Sequence, residues 1–284
     1  MDTTQKKELL NFDLKVEASF SSEWEFFPQD KLSDSQKLKV FQEYFDIFPW
    51  DKLPKESCVG ADLGCGSGRW ATLIAPKVSK LICVDISQKA ISVAQKNLQT
   101  FQNVEFIRGS VGNLPIEEES LDFAYSLGVL HHLPVPHQAL KSIVRKLKKG
   151  APLLIYIYYA LDNRPKWYQK LWKLMDAFRV LISKMSPKMK YITSQTFAYL
   201  VYWPFSRAAW ALDKLGILPA AWPLSYYRDK EFYIIRTDAL DRFGTPLEKR
   251  FTKEQIVEMM TQAGLENVKF SDRAPYWVAV GTKR

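Results

Sequence analysis

The chain has 284 residues, of which 47% are hydrophobic and 25% charged, close to the globular average. That is enough for one large α/β domain or two small ones, and it excludes a collagen, a coiled-coil rod or a wholly disordered chain. The net charge of +9 is concentrated: Ala160–Lys230 holds 12 Lys or Arg against 4 Asp or Glu, while the rest holds 28 against 27. Five of the nine tryptophans fall in the same stretch (Trp167, Trp172, Trp203, Trp210, Trp222). The pattern is a nearly neutral body carrying a basic, aromatic insertion.

In chain order, a helical pattern opens at Ser33 and runs through Leu38, Phe41, Phe45 and Phe48 to Pro49. Strand and helix signals then alternate. Cys58–Leu63 reads as a strand, followed by a glycine cluster and a helix through Trp70, Leu73 and Ile74. Leu81–Ile86 is a second strand, and Ser87 caps a helix with Ile91, Ala94 and Leu98 on one face. Val104–Arg108 and Leu121–Leu127 are the third and fourth strands, and a helix from about Pro136 to Leu147 stops at Gly150. Pro152–Tyr159 is a fifth strand. After the insertion, Thr252 and Gln255 form a capping box for a helix ending at Gly264, and Val268–Phe270 and Trp277–Val280 close the chain. Alternating elements predict a mostly parallel sheet covered on both faces. Only Ser271–Tyr276 separates the closing runs, too few residues for a crossover helix, so the last strand should be antiparallel.

Three cysteines (Cys58, Cys65, Cys83) make no disulfide framework, and no basic-then-apolar leader opens the sequence. The longest apolar stretches, Leu153–Leu161 and Phe197–Phe205, fall short of the ~18 residues a membrane span needs. The expectation is a cytoplasmic protein.

The strongest chemical signal is Ala61-Asp62-Leu63-Gly64-Cys65-Gly66-Ser67-Gly68-Arg69 after the first strand. Alternate glycines let the backbone turn sharply and approach a ligand, with a helix N-terminus behind it. A nicotinamide dinucleotide motif wants its third glycine where this chain has Arg69. Asp85, at the end of the second strand, is placed to accept the two hydroxyls of a ribose.

With these residues the sequence resembles the class I S-adenosylmethionine-dependent methyltransferases, in the group that includes the quinone-biosynthesis enzymes. The resemblance covers about Val59–Tyr158 closely and the C-terminal hairpin loosely. It implies a Rossmann-like α/β fold with a seven-stranded, mostly parallel sheet and an antiparallel last strand. The helical cap insertion is expected at 160–237, between a core at 1–159 and its C-terminal part at 238–284. It implies S-adenosylmethionine as cofactor, with Asp62, Gly64, Gly66 and Gly68 facing its methionine part and Asp85 and Ile86 its ribose. Gly109–Pro115 is similar to the adenine-edge segment, with Ser110, followed by Val111, where the family most often has Asp after the first Gly. Leu121–Leu133 is similar to the fourth-strand motif, so Ser126 and Leu127 end beside the transferable methyl group. Arg69 is read either as a partner of the methionine carboxylate or as a solvated residue at a helix start. An N-terminal segment commonly folds over the cofactor in this family, so Trp24 or Tyr44 is read either as lining the site or as an ordinary packed aromatic.

Methyl transfer needs an aligned nucleophile, exclusion of water and, for a hydroxyl or ammonium, a proton acceptor. All three histidines lie within seven residues. His131 and His132 follow the fourth strand at the ligand-binding edge; each is a candidate base or a wall of the pocket. His137 reads as a helix-start surface residue, and no cluster suggests a metal.

The acceptor is read as a small or lipid-like molecule, methylated at oxygen or nitrogen. In the insertion, Lys166–Met185 carries the stripe Trp167, Leu171, Leu174, Met175, Phe178, Leu181, Ile182 and Met185 with lysines mostly opposite. It is read first as a lid helix packing that stripe on the body. A peripheral membrane contact through 165–205 and a nucleic-acid surface are the other readings, the last least favoured. Asp238–Pro246 is read as a charged connection back to the core, with Tyr233 and Tyr276 as phenol donors near it. RNA methylation, a non-catalytic scaffold and a nicotinamide enzyme are the rival functions.

Overall fold

The computed structural model describes residues 11–29 and 31–284. Its elements in chain order are α1 (Leu14–Phe26), α2 (Asp34–Phe45), β1 (Val59–Leu63), α3 (Ala71–Ile74), β2 (Lys80–Asp85), α4 (Gln88–Asn97), β3 (Val104–Arg108) and β4 (Phe123–Leu127). They continue with α5 (Pro136–Lys146), β5 (Pro152–Tyr156), α6 (Lys166–Ile182), α7 (Pro187–Phe197), α8 (Trp203–Lys214), α9 (Phe232–Gly244), α10 (Lys253–Gln262), β6 (Leu265–Phe270) and β7 (Val278–Lys283).

The chain forms two compact units. The first, the sheet unit, takes in Lys37–Ala160 and Leu247–Arg284 together with residues 11–29. Its seven strands lie in the order β3-β2-β1-β4-β5-β7-β6. Strands β1 to β5 are parallel, and β7 is antiparallel to both its neighbours, β5 and β6. This is the expected Rossmann-like α/β architecture. The order reverses between β1 and β4, which makes their carboxyl ends the topological switch point where such sheets take ligands. The central strands are buried almost throughout, so they read as continuous apolar runs rather than alternations. Local signals fix the helices: Asp13 accepts from Lys15 N–H and Val16 N–H to start α1, and Ser87 Oγ accepts from Ala90 N–H at 3.2 Å to start α4. The Thr252–Gln255 capping box is present on α10.

The second, helical unit comprises Leu161–Pro246 with Asp30–Gln36. Ile182, Ala198, Tyr202, Ile235, Ala239 and Phe243 form its core. One sequence expectation changes here. The boundary expected after residue 237 falls after Pro246, because Asp238–Gly244 continues α9 and its Leu240 and Phe243 are buried. The run Phe197–Trp203 is helical throughout, crossing a π turn between α7 and α8.

Candidate active site

The site is built at the carboxyl ends of β1, β2, β4 and β5. After β1 the backbone turns through Gly64 and Gly66, at φ +84° and +53°, in the left-handed region that L side chains rarely adopt. Space also demands glycine: a Cβ at Gly64 would lie 2.3 Å from Val129, and one at Gly66 would lie 2.5 Å from the Trp24 ring. Asp85 organises the loop. Its Oδ2 accepts from Gly66 N–H and its Oδ1 from Ser87 N–H, both at 2.9 Å. Burial raises its carboxyl above the usual range, opposed by these backbone donors. The Ile86 N–H adds a further backbone donor to this carboxylate, which leaves about one acceptor site for a ligand.

Asp62 is the more strained carboxylate. It is buried, its Oδ2 has no hydrogen-bond partner, and burial lifts its pKa to about 7, with Asp85 adding to the rise. The Tyr125 hydroxyl beside it offsets part of that rise without completing a hydrogen bond of normal geometry. An unpartnered buried carboxylate is costly, and a cationic ligand group is the natural compensation.

Helix α1 lies over this edge. Trp24 sits on Gly66, Ser21 Oγ meets Ser87 Oγ at 2.6 Å, and Glu25 pairs with Lys89 at 2.6 Å. Phe20 sets its edge against His132, with ring centroids 5.0 Å apart. Tyr44 packs on Trp70 and Tyr156. Trp24 and Tyr44, both singled out in the sequence, therefore stand at the loop and the β5 end.

The two histidines after β4 are held differently. His131 is fully buried and stacks on Tyr158 with centroids 3.8 Å apart, and neither ring nitrogen has a hydrogen-bond partner. Burial, then the neighbouring His132 and Arg250, push its pKa well below the ordinary value, so it is a neutral imidazole. His132 Nδ1 lies 2.7 Å from the carbonyl oxygen of Leu247. A carbonyl only accepts, so Nδ1 carries a hydrogen, and in the neutral ring Nε2 is the nitrogen with the lone pair. Tyr158, Arg250 and Glu248 complete this wall. The Arg250 guanidinium sits over the Tyr158 ring, Nε donates to Glu248 at 2.8 Å, and a terminal nitrogen donates to Tyr159 O at 3.1 Å. These three were not singled out in the sequence, although tyrosines at alternate positions past β5 are a usable signal.

The remaining sequence candidates are placed as follows. Ser126 is buried and its hydroxyl donates to Leu63 O at 2.8 Å, tying β4 to the start of the glycine loop; Leu127 ends β4 beside it. Ser110 Oγ accepts from Gly112 N–H at 3.1 Å, so this hydroxyl shapes its own turn, next to buried Val111. Ile86 O accepts from Arg108. Gly68, at φ +72°, packs on Leu98 and Ala94 of the following helix region. Arg69 stacks on Trp70 at 4.3 Å. His137 is exposed at the start of α5. Tyr276 packs on Tyr159 and Trp277 beside the sheet core, and Tyr233 belongs to α9 of the helical unit.

Residues 61–155 match the family model of the methyltransferase domain. This stretch is a methyltransferase domain, and with the methyltransferase relatives it supports a class I S-adenosylmethionine-dependent enzyme. It is similar to an uncharacterized methyltransferase of Schizosaccharomyces pombe, 33% identical over 42% of this chain and 45% of that protein. It is also similar to the demethylmenaquinone methyltransferase of Lactiplantibacillus plantarum, 27% identical over 50% of this chain and 63% of the relative. A probable tRNA methyltransferase of Mus musculus is 27% identical over 46% and 28%. Among solved structures, a possible exported protein of Bordetella parapertussis shares the fold at TM-score 0.50, with 14% identity over 86% of this chain and 66% of that one. The chain spans 63% or less of the length of the curated relatives named here.

The residues present fit S-adenosylmethionine: a glycine cradle that a Cβ would fill, an acid at the end of β2, and a buried carboxylate awaiting a positive charge.

Proposed function

We propose that this protein transfers the methyl group of S-adenosylmethionine to an oxygen or nitrogen of a small, lipid-like acceptor, with His132 taking the proton. The cofactor supplies an activated methyl on a sulfonium, so the chain must bind, orient, exclude water and move one proton. Asp85, with Ile86, would hold the ribose, and the Gly64–Gly68 turn would admit close approach of the methionine part. Asp62 would offset the cofactor's positive charge and Arg69 its carboxylate. Ser110 and Val111 would border the adenine, with Ser126 and Leu127 under the reacting end.

The observation that carries the reading is the His132 Nδ1 to Leu247 O contact at 2.7 Å. It fixes the tautomer with a basic Nε2, the form a proton acceptor needs. His131 is the poorer base, because burial has already depressed its proton affinity. Its stacking with Tyr158 suits a positioning role. The rings of Phe20, His131, Tyr156 and Tyr158 make the neighbourhood aromatic, which favours an apolar acceptor with one reactive polar atom. The Lactiplantibacillus relative is named for demethylmenaquinone, an apolar acceptor, which supports the lipid-like class of acceptor and not the choice of atom.

The test incubates the protein with methyl-labelled S-adenosylmethionine and an extract of its source cells, then separates organic, small aqueous, RNA and protein fractions. Label in the organic or small aqueous fraction, lost in His132→Ala, is the expected result. Label in RNA or protein overturns the acceptor class. Asp85→Ala should weaken cofactor binding by roughly a hundredfold in calorimetry, since it removes the acceptor facing the ribose and frees the Gly66 N–H.

A further inference from the structure

Helix α6 has three distinct sides. At about 100° per residue, Trp167, Leu171, Leu174, Phe178 and Leu181 fall within an arc of about 80°, and all five are exposed, Leu174 and Leu181 by 58% and 60%. The buried side is elsewhere. Arg179 is buried and donates to Asp176 at 2.6 Å and to Thr245 O at 2.9 Å, and Ile182 enters the core of the helical unit. Lys166, Lys170, Lys173 and Lys184, all exposed, run along the flank of the apolar arc away from that buried side. The expected stripe is thus split: Met175, Ile182 and Met185 pack into the core of the helical unit, while Trp167, Leu171, Leu174, Phe178 and Leu181 face out.

The helices that follow repeat the tendency, with Met189, Ile192, Tyr199, Leu200 and Trp210 exposed. Of the 18 large hydrophobic side chains exposed among the described residues, 14 lie between Trp167 and Ile217. Ordinary surfaces scatter such residues singly. No described helix is long and apolar enough to cross a membrane.

We propose that the outer stripe of α6 docks peripherally on an anionic lipid surface, its apolar arc in the headgroup–acyl boundary and its lysine row on the phosphates. Charge selects this occupant. The stretch from Ala160 to Lys230 carries the 12 to 4 excess of basic over acidic residues already noted, so two copies meeting through it would oppose like charges. Nucleic acid would be read by rings set among the cations, whereas this arc is mostly leucine and the lysines stand beside it. A partly buried apolar arc with a flanking basic row is the pattern of helices that lie in a membrane interface. The inference goes beyond the proposed methyl transfer and does not depend on the acceptor.

The experiment is flotation of the full chain with phosphatidylcholine vesicles, with and without about a third phosphatidylglycerol. Binding to the anionic vesicles is expected, weakening as salt rises. The double variant Leu174→Glu and Leu181→Glu should reduce it about tenfold or more. Both side chains are exposed, so circular dichroism and S-adenosylmethionine affinity should match the parent, which separates this result from failure of the methyltransferase reading. Lys170→Glu with Lys173→Glu should erase the preference for anionic vesicles. Wild-type protein left in the unbound fraction overturns the proposal, as does undiminished flotation of the double glutamate variant. Self-association or RNA binding that is lost in the glutamate variant, without vesicle binding, would assign the stripe to those partners instead.

Discussion

In the sheet unit the large side chains of β1, β4 and β5 are buried, and polar atoms without partners gather at one edge, on Asp62, Tyr125 and His131. In the helical unit α6 does the opposite, burying an arginine in hydrogen bonds and presenting six large apolar side chains to solvent, five of them in one arc. Both departures from the usual pattern carry a cost. The first is what a ligand pocket looks like before its ligand compensates it; the second is what a surface looks like before it meets an apolar phase.

The contrast is tested most strongly by paired truncations. Leu154→Ala, fully buried in β5, should lower unfolding stability by about 2–5 kcal/mol, while Leu174→Ala should stay within about 0.5 kcal/mol. Urea titrations of both would break the comparison if the two values were alike. Within the site, His132→Ala should slow turnover roughly 100- to 1000-fold with cofactor affinity nearly unchanged, and His131→Ala by less. Equal effects on single-turnover rates would refute the division between base and positioning residue.

At the glycine loop, Gly66→Ala adds a Cβ against the Trp24 ring at a positive φ. We expect a loss of about 2 kcal/mol, part of it recovered in a Trp24→Ala background, which calorimetric unfolding can resolve. The last effect is a slope. Asp62 holds its proton to about pH 7 when folded but releases it near pH 4 when unfolded, so stability falls as pH rises through that window and is level above it. Asp62→Asn should remove that fall. His131 works in the other direction, its depressed pKa costing stability as pH drops below the unfolded value of about 6.5. Melting temperatures across pH 4–8 should separate the two, and an unchanged slope in the asparagine variant would contradict the orphaned carboxylate.

Much of the sheet unit was legible because its signals are local. The strands fall within a few residues of their apolar runs, Ser87 and the Thr252–Gln255 pair cap the helices they were expected to cap, and Asp85 meets the glycine loop. The antiparallel β7 followed from the short link before it, although its place between β5 and β6 did not. What escaped depends on backbone atoms or distant pairs. The Leu247 carbonyl that sets the His132 tautomer has no sequence signature, and Arg250 reaches Tyr158 only because the fold brings β5 and the segment before α10 together. In α6 a helical apolar stripe was visible, but periodicity gives its width and not its partner. The side taken by the core was decided by Arg179 and its acceptors, Asp176 and the Thr245 carbonyl.

The sheet unit closes behind the insertion. Ala160 N–H donates to Phe251 O at 2.8 Å and Phe251 N–H to Tyr158 O at 3.0 Å, so the chain leaves and re-enters the sheet unit at one clamped point. For an excursion anchored this way, doubling its length adds only about 0.6 kcal/mol of closure entropy. Changes of length within residues 161–246 therefore cost the sheet unit little closure entropy, so growth or shrinkage there is cheap for the framework. Exchange is tied to a second segment, because Asp30–Gln36 belongs to the same helical unit, and a chimera carrying a relative's insertion would have to bring that segment with it.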